Sequence, residues 1–347
     1  MKMKRNINTA AHRSLITALC CVLFAGMAFG QSKTGTTIGQ FLKIEPSARI
    51  ASIGNAGAAL YGDASGIFYN PASLGRIGGA DVEFSYNKWL ADITYNYVAA
   101  TYNAGSIGTF ALIGTSLNSG EMDVRTVEQP LGTGERFTVN DIAIGIGYGL
   151  MLTDRVSIGI QVNYVSEAIW HSSLATFGIN FGVQYQLLDE KFTIGASVAN
   201  FGGRASYEGR DLYLNYDFDP KKFGDNDQLP AMLRTDGYSL PTIFRAGASY
   251  VFDFDTDYQL LVSADAIHPN DNSESIAVGG ELTLFNLLAL RGGYRNLFLT
   301  NAEGGATFGA GIHFIMGGGY DVRFDYAFAD HGLLEQAHRI TVGIGMK

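Results

Sequence analysis

The stretch "RVSIGIQVNYV", residues 155–165, decides the reading of this chain. Val156, Ile158, Ile160, Val162 and Tyr164 alternate with Ser157, Gly159, Gln161 and Asn163. A strand turns successive side chains to opposite faces, so this pattern gives one apolar face and one face that is polar or very small. The same period recurs in "DVRFDYAF", 321–328, where Val322, Phe324, Tyr326 and Phe328 oppose Arg323 and Asp325. In "HRITVGIGMK", 338–347, Ile340, Val342, Ile344 and Met346 share one face.

Working outward, the alternation predicts strands at about 80–90, 91–103, 106–118, 139–152, 154–169, 173–187, 190–200, 242–252, 257–267, 274–285, 286–296, 304–316, 319–329 and 337–347. Fourteen strands of this length suit a tilted bilayer crossing of ~9–11 residues. The connections alternate in length. "NAGS", "LTDR", "LLDEK", "FDTD", "FNL" and "MGGG" are short, whereas 119–138, 167–173, 201–241, 268–273, 297–303 and 330–336 are mostly longer. Short periplasmic turns, longer extracellular loops and an even strand number describe an outer-membrane barrel. Lipid offers backbone groups no partner, so the sheet must close. The fold class expected is therefore all-β, a 14-stranded antiparallel transmembrane β-barrel spanning residues 80–347. Outer-membrane lipid is its first partner.

The face away from lipid collects Glu83, Arg245, Asp265, Glu281, Arg291, Arg295, His313, Arg323 and Asp325. Mutual pairing that fills the barrel and contact with a ligand both remain open for these charges. Trp89, Tyr102, Tyr148, Trp170, Tyr250, Tyr294 and Tyr320 fall near strand ends, where interface girdles sit.

Residues 1–30 read as an export signal. Lys2, Lys4, Arg5 and Arg13 precede the apolar run Leu15–Ala28, and Ala28-Phe29-Gly30 is a small-x-small cleavage box. Its removal would take Cys20 and Cys21, the two cysteines, and shift the net charge from −9 to −13 by loss of four basic residues. A cysteine-free, acidic mature chain has no disulfide framework and no surface for nucleic acid.

Residues 31–79 precede the first strand. They hold a helix-compatible start (Ile38, Phe41, Leu42, Ile44), a run of small residues, then Asp63 and Asn70-Pro71-Ala72. Proline fixes φ and removes an N–H, and asparagine caps its own turn. The expectation is a plug packed in the lumen, with Asn70-Pro71 redirecting the chain into the wall. An arm outside the barrel is the alternative. Inside the barrel Arg49 needs a carboxylate, and Glu83, Asp265, Glu281 and Asp325 are the candidates. Asp63 should meet a wall arginine or a turn N–H.

No enzyme motif competes. "GIGYGL", 145–150, lies within an alternating run with no helix after it, unlike a phosphate loop. Neither His-Glu-x-x-His nor Gly-x-Ser-x-Gly occurs. The acids of 217–228 lack calcium-loop spacing, and His171, His268, His331 and His338 lack ligand spacing. No cofactor and no metal are expected.

"PSARIASIGNAGAALYGDASGIFYNPASL", 46–74, resembles the N-terminal signature of the PorV/PorQ family within the FadL-like barrels. Arg49, Gly54, Gly57, Asp63, Asn70, Pro71 and Ala72 stand at the positions that carry the likeness. "KWLADITYNYVAATY", 88–102, is similar to the first hairpin of that family, and 324–347 to its closing one. The resemblance implies a role in type IX-like protein secretion, with a secretion-system partner or secreted cargo held at the cell surface. The FadL branch implies instead a transporter of hydrophobic small molecules, with a hydrophobic ligand.

Overall fold

The computed structural model describes residues 34–347, apart from 188–189, 220, 223, 225–227, 300–301, 303, 335 and 347. The expected export signal, residues 1–30, lies outside the described residues.

Fourteen antiparallel strands form the wall. The first seven are β1 (Ala80–Lys88), β2 (Thr94–Asn103), β3 (Thr109–Asn118), β4 (Val139–Met151), β5 (Val156–Ile169), β6 (Ser172–Leu187) and β7 (Phe192–Gly202). The second seven are β8 (Ile243–Asp255), β9 (Tyr258–Pro269), β10 (Ser275–Leu284), β11 (Leu288–Leu297), β12 (Ala306–Met316), β13 (Tyr320–Asp330) and β14 (Gln336–Met346). Each pairs with the next. β1 pairs with β14, Ala80 opposite Met346 and Lys88 opposite His338, so the sheet has no free edge.

Period two decides which way each side chain faces. On β5, Ile158, Ile160, Val162 and Tyr164 are exposed on the outside, and Ser157, Gln161 and Asn163 are buried. On β13, Phe324 and Tyr326 face out and Arg323 and Asp325 in. Repeated around the wall, the rule makes an outer apolar band that only hydrocarbon can cover, with every ladder hydrogen bond made within the sheet. The chain is a multi-pass outer-membrane β-barrel.

At the end where the chain enters β1 the turns are short, such as 256–257 and 317–319, and by the short-turn rule this is the periplasmic end; the long 119–138 and 203–242 lie at the other, extracellular end. The connection expected at 167–173 is instead the two-residue turn Trp170-His171, because β5 and β6 pair right up to Ile169 opposite Ser172. Pairing of Glu208 and Gly209 with Ser173 and Ser172 extends β6 beyond the wall. The 203–242 connection carries its own ribbon, Tyr213–Tyr216 against Leu229–Met232.

Trp89 departs from the expected girdle. It sits inside the extracellular mouth, edge-on to the His331 ring at 4.8 Å, with the Arg339 guanidinium 5.3 Å from its centroid. The cause is local: Trp89 N–H donates to Ile93 O at 2.9 Å, a tight turn that folds the chain inward. Tyr102, Trp170, Tyr294 and Tyr320 are exposed near strand ends, as interface side chains are.

Residues 37–79 run through the lumen. They form a 3₁₀ turn at Gln40–Lys43, helix α1 (Ala48–Ser52), helix α2 (Gly66–Tyr69) and a second 3₁₀ turn at Pro71–Arg76. Ile50, Ile53, Leu60, Ile67, Tyr69 and Leu74 are fully buried. The core is thus the packing of this segment against the inner wall, including Tyr95, Tyr97, Ile113 and Val165.

Candidate functional site

Ser47 caps α1 and directs Arg49 at the wall, where a chain of ion pairs begins. Arg49 Nε and Nη2 donate to Glu281 Oε2 and Oε1 at 3.0 and 2.9 Å, a two-pronged contact, and Nη1 donates to Asp63 Oδ2 at 2.9 Å. Burial disfavours the Arg49 charge, and the Glu281 and Asp63 carboxylates offset that cost. Glu281 Oε2 also accepts Arg291 Nε at 2.5 Å. Arg291 Nη1 reaches Asp325 Oδ1 at 2.6 Å, and His313 Nε2 lies 3.1 Å from the same oxygen. Charges on β10, β11, β12 and β13 therefore act as one network with α1.

Asp63 Oδ1 accepts Gly66 N–H and Ser65 Oγ, both at 3.0 Å, so its partners are a turn N–H and Arg49 rather than a wall arginine. Arg323 Nη2 donates to Asp81 Oδ2 at 2.5 Å, and Asp81 Oδ1 accepts Ala64 N–H at 3.0 Å. Glu83 is buried two residues along β1, beside Asp63 and Ser65. Asp265 Oδ2 accepts Ala58 N–H at 2.8 Å. Arg295 is buried near the extracellular mouth, where Nη2 donates to Asp330 O at 3.1 Å. Arg245 is buried without an ion pair among the described residues, its guanidinium 5.8 Å from the centroids of Phe68 and Tyr69.

The Asn-Pro turn lies against β5 and β6. Asn70 Oδ1 accepts Ala72 N–H at 3.0 Å, capping the turn that Pro71 starts, while Asn70 Nδ2 donates to Ala58 O at 2.7 Å and Val183 O at 3.1 Å. The wall beneath is glycine because nothing larger fits. A Cβ at Gly182 would stand 1.8 Å from Asn70 Oδ1, and one at Gly159 would stand 2.1 Å from Pro71 O. Gly54, at φ +74°, packs against Val278 and Tyr294 carbonyls; Gly57 lies against the Tyr69 ring.

Two depressions flank this segment. The extracellular one, ≈ 700 Å³, includes Phe41, Ile44, Trp89, Ile93, Leu117 and Leu299, with Arg295, Asp141 and His331 among them. The periplasmic one, ≈ 360 Å³, includes Arg49, Leu60, Tyr61, Lys191 and Asp253. Most of residues 50–74 are buried.

Arg339 and Asp81 are inward charges that the sequence reading passes over. Arg339 is fully buried, and Nε donates to Glu45 O at 2.9 Å. Period two was the available signal: Arg339 shares a face with Thr341, and Asp81 with Glu83.

No family model matches this chain, and no curated protein matches it. Solved structures do. The Pseudomonas putida toluene transporter TodX shares 11% identity over 91% of this chain and 98% of its own, with a TM-score of 0.53. The Ralstonia pickettii toluene transporter TbuX shares 12% over 88% and 98%, at 0.52. A Pseudomonas aeruginosa FadL homologue shares 12% over 91% and 99%, at 0.50. At such identities the likeness is one of fold, and the fold is that of the FadL-like outer-membrane barrels.

Proposed function

We propose that this protein is a conduit for hydrophobic small molecules across the outer membrane rather than an enzyme, with residues 31–79 as a plug that shifts to let them pass. The extracellular depression carries this reading. Its ≈ 700 Å³ lies within the usual range for small-molecule sites, and its aromatic and aliphatic members sit at the water-facing end of the lumen. Phe41 and Ile44 belong to the plug itself, so a solute seated there touches the part that must move. The toluene transporters named above support the same class of solute. In this reading residues 1–30 direct export and are removed, leaving Gln31 as the first residue.

The test is uptake of a radiolabelled monoaromatic hydrocarbon into cells that carry or lack the protein. Phe41→Asp and Leu117→Asp should each lower uptake severalfold with the barrel still assembled. Uptake that is equal with and without the protein would defeat the proposal.

One observation favours the PorV/PorQ-like reading, in which the barrel handles secreted cargo. The ribbon of the 203–242 connection exposes Tyr213, Tyr216 and Met232, and Leu233 follows it, also exposed. Under that reading, deleting 210–234 abolishes retention of a secreted protein at the cell surface and leaves hydrocarbon uptake unchanged.

A further inference from the structure

We propose that the lumen wall holds a binding site for a small monovalent anion, such as chloride, between Arg245 on β8 and Asn163 on β5. A buried cavity of about 30 Å³ lies there, and Arg245, Asn163, Tyr95, Tyr97 and Thr115 line it together with Phe68. That space holds one small ion or one to two waters, and it excludes any chain-like ligand.

Charge is the first argument. Arg245 is 4% exposed; among the described residues its Nε has no hydrogen-bond partner, and no carboxylate lies within ion-pair distance of it. Asp265, on the adjoining strand β9, acts on Arg245 only from beyond ion-pair distance; its Oδ2 accepts Ala58 N–H and its Oδ1 has no partner among the described residues. The rings of Phe68 and Tyr69 partly stabilise the cation, but they accept none of its five N–H donors. A buried cation with no counter-charge in contact is costly, and water in so small a space only partly offsets that cost. No carboxylate belongs to the cavity lining.

Polarity is the second argument, and it is independent of the first. Asn200 lies at a bulge where β6 and β7 shift register, and its backbone N–H donates to Asn180 Oδ1 at 2.7 Å. A backbone N–H can only donate, so the Asn180 oxygen is fixed. Asn180 Nδ2 must then donate to Gln161 Oε1, at 3.1 Å, and Gln161 Nε2 to Asn163 Oδ1, at 2.7 Å. The relay therefore ends on the Asn163 NH₂ group, a donor that lines the same cavity as Arg245. Gly145 leaves room for this last amide, since a Cβ there would stand 2.1 Å from Asn163 Oδ1. The Tyr97 hydroxyl, without a partner among the described residues, and the Tyr95 hydroxyl, beside Thr115, add two more groups able to donate. A cation and several donors around one small space are the complement of an anion.

The ion would join wall to plug, because Phe68 and Tyr69 under the guanidinium belong to α2. This inference does not rest on hydrocarbon transport.

The experiment uses the full-length mature chain in detergent. Crystals grown in sodium bromide should show an anomalous peak between Arg245 and Asn163. In solution the unfolding midpoint should rise when chloride or bromide replaces gluconate at equal ionic strength. Arg245→Gln should lose both the peak and the shift, and Asn163→Leu should weaken them. If Arg245→Gln fails to refold, the wild-type bromide map and Asn163→Leu decide. Water density without an anomalous peak, a midpoint indifferent to the anion, or a bromide peak that survives Arg245→Gln would each overturn the proposal.

Discussion

Replacing Arg49 by Met keeps most of the side chain's apolar length and removes its charge. Three charge-assisted hydrogen bonds disappear, two to Glu281 and one to Asp63. Breaking a buried pair from one side costs roughly 3–5 kcal/mol. Here the abandoned groups keep other partners: Glu281 retains Arg291 at 2.5 Å, and Asp63 retains Gly66 N–H and Ser65 Oγ at 3.0 Å. The lower end, about 3 kcal/mol, is the better figure, and at 1.36 kcal/mol per tenfold it enlarges a loosened-plug population about 150-fold. The assay is swelling of proteoliposomes in a small polar solute, with heat-modifiable migration as a check on barrel assembly. Arg49→Met should swell markedly faster than wild type with the barrel intact. Arg49→Lys should fall between, since it keeps the charge and loses the fork. Combining Arg49→Met with Glu281→Gln should cost less than the two singly, because both act on one contact. Equal swelling of wild type and Arg49→Met, with strictly additive effects, would refute the idea that this contact holds the plug.

Gly182→Val should push Asn70 off the wall and lower the unfolding midpoint, whereas Gly78→Ala, with open space around it, should be neutral; equal midpoints would contradict the close approach. Ile160→Arg, on the lipid face, should cost roughly 2–4 kcal/mol near mid-bilayer, measured by refolding into lipid vesicles, with Ile160→Leu as the neutral control. His331, outside the membrane-spanning segments, is held down to about 4 by burial and by Arg295 and Arg339. It is neutral in the packed mouth and takes up a proton near the ordinary value of about 6.5 once the mouth loosens. The loosened state thus binds more protons between those values, so packing is strongest above about pH 6.5 and weakens as pH falls toward 4. Trp89 fluorescence should report this acid change in wild type and not in His331→Gln, given the 4.8 Å ring contact.

The wall was legible because lipid on one side and a packed lumen on the other impose the same two-residue period on each strand. β5 and β13 show it most plainly: Ile160 beside Gln161 and Phe324 beside Arg323 need no tertiary information to be assigned to faces. The Asn70-Pro71 turn was readable for an equally local reason, since proline and a self-capping amide act within three residues. Partner choice was not local. Four wall carboxylates were open to Arg49, and Glu281 is the one it meets. Asp325 is paired with Arg291 and His313, and Asp265 with a backbone N–H. Trp89 misled because its end-of-strand position fits a girdle, while the turn to Ile93 rotates it into the mouth. The direction of the amide relay depends on a bulge at Asn200 that no periodicity marks.

The central claim is that the plug must move for a hydrophobic solute to pass. Arg49→Cys with Glu281→Cys allows plug and wall to be joined by a short, reducible bis-maleimide, since the sequence has no cysteine beyond Cys20 and Cys21. Uptake of labelled toluene would be measured in cells before joining, after joining and after reduction of the linker. The account predicts that joining stops uptake and reduction restores it; uptake that continues unchanged with the plug joined to the wall would contradict it.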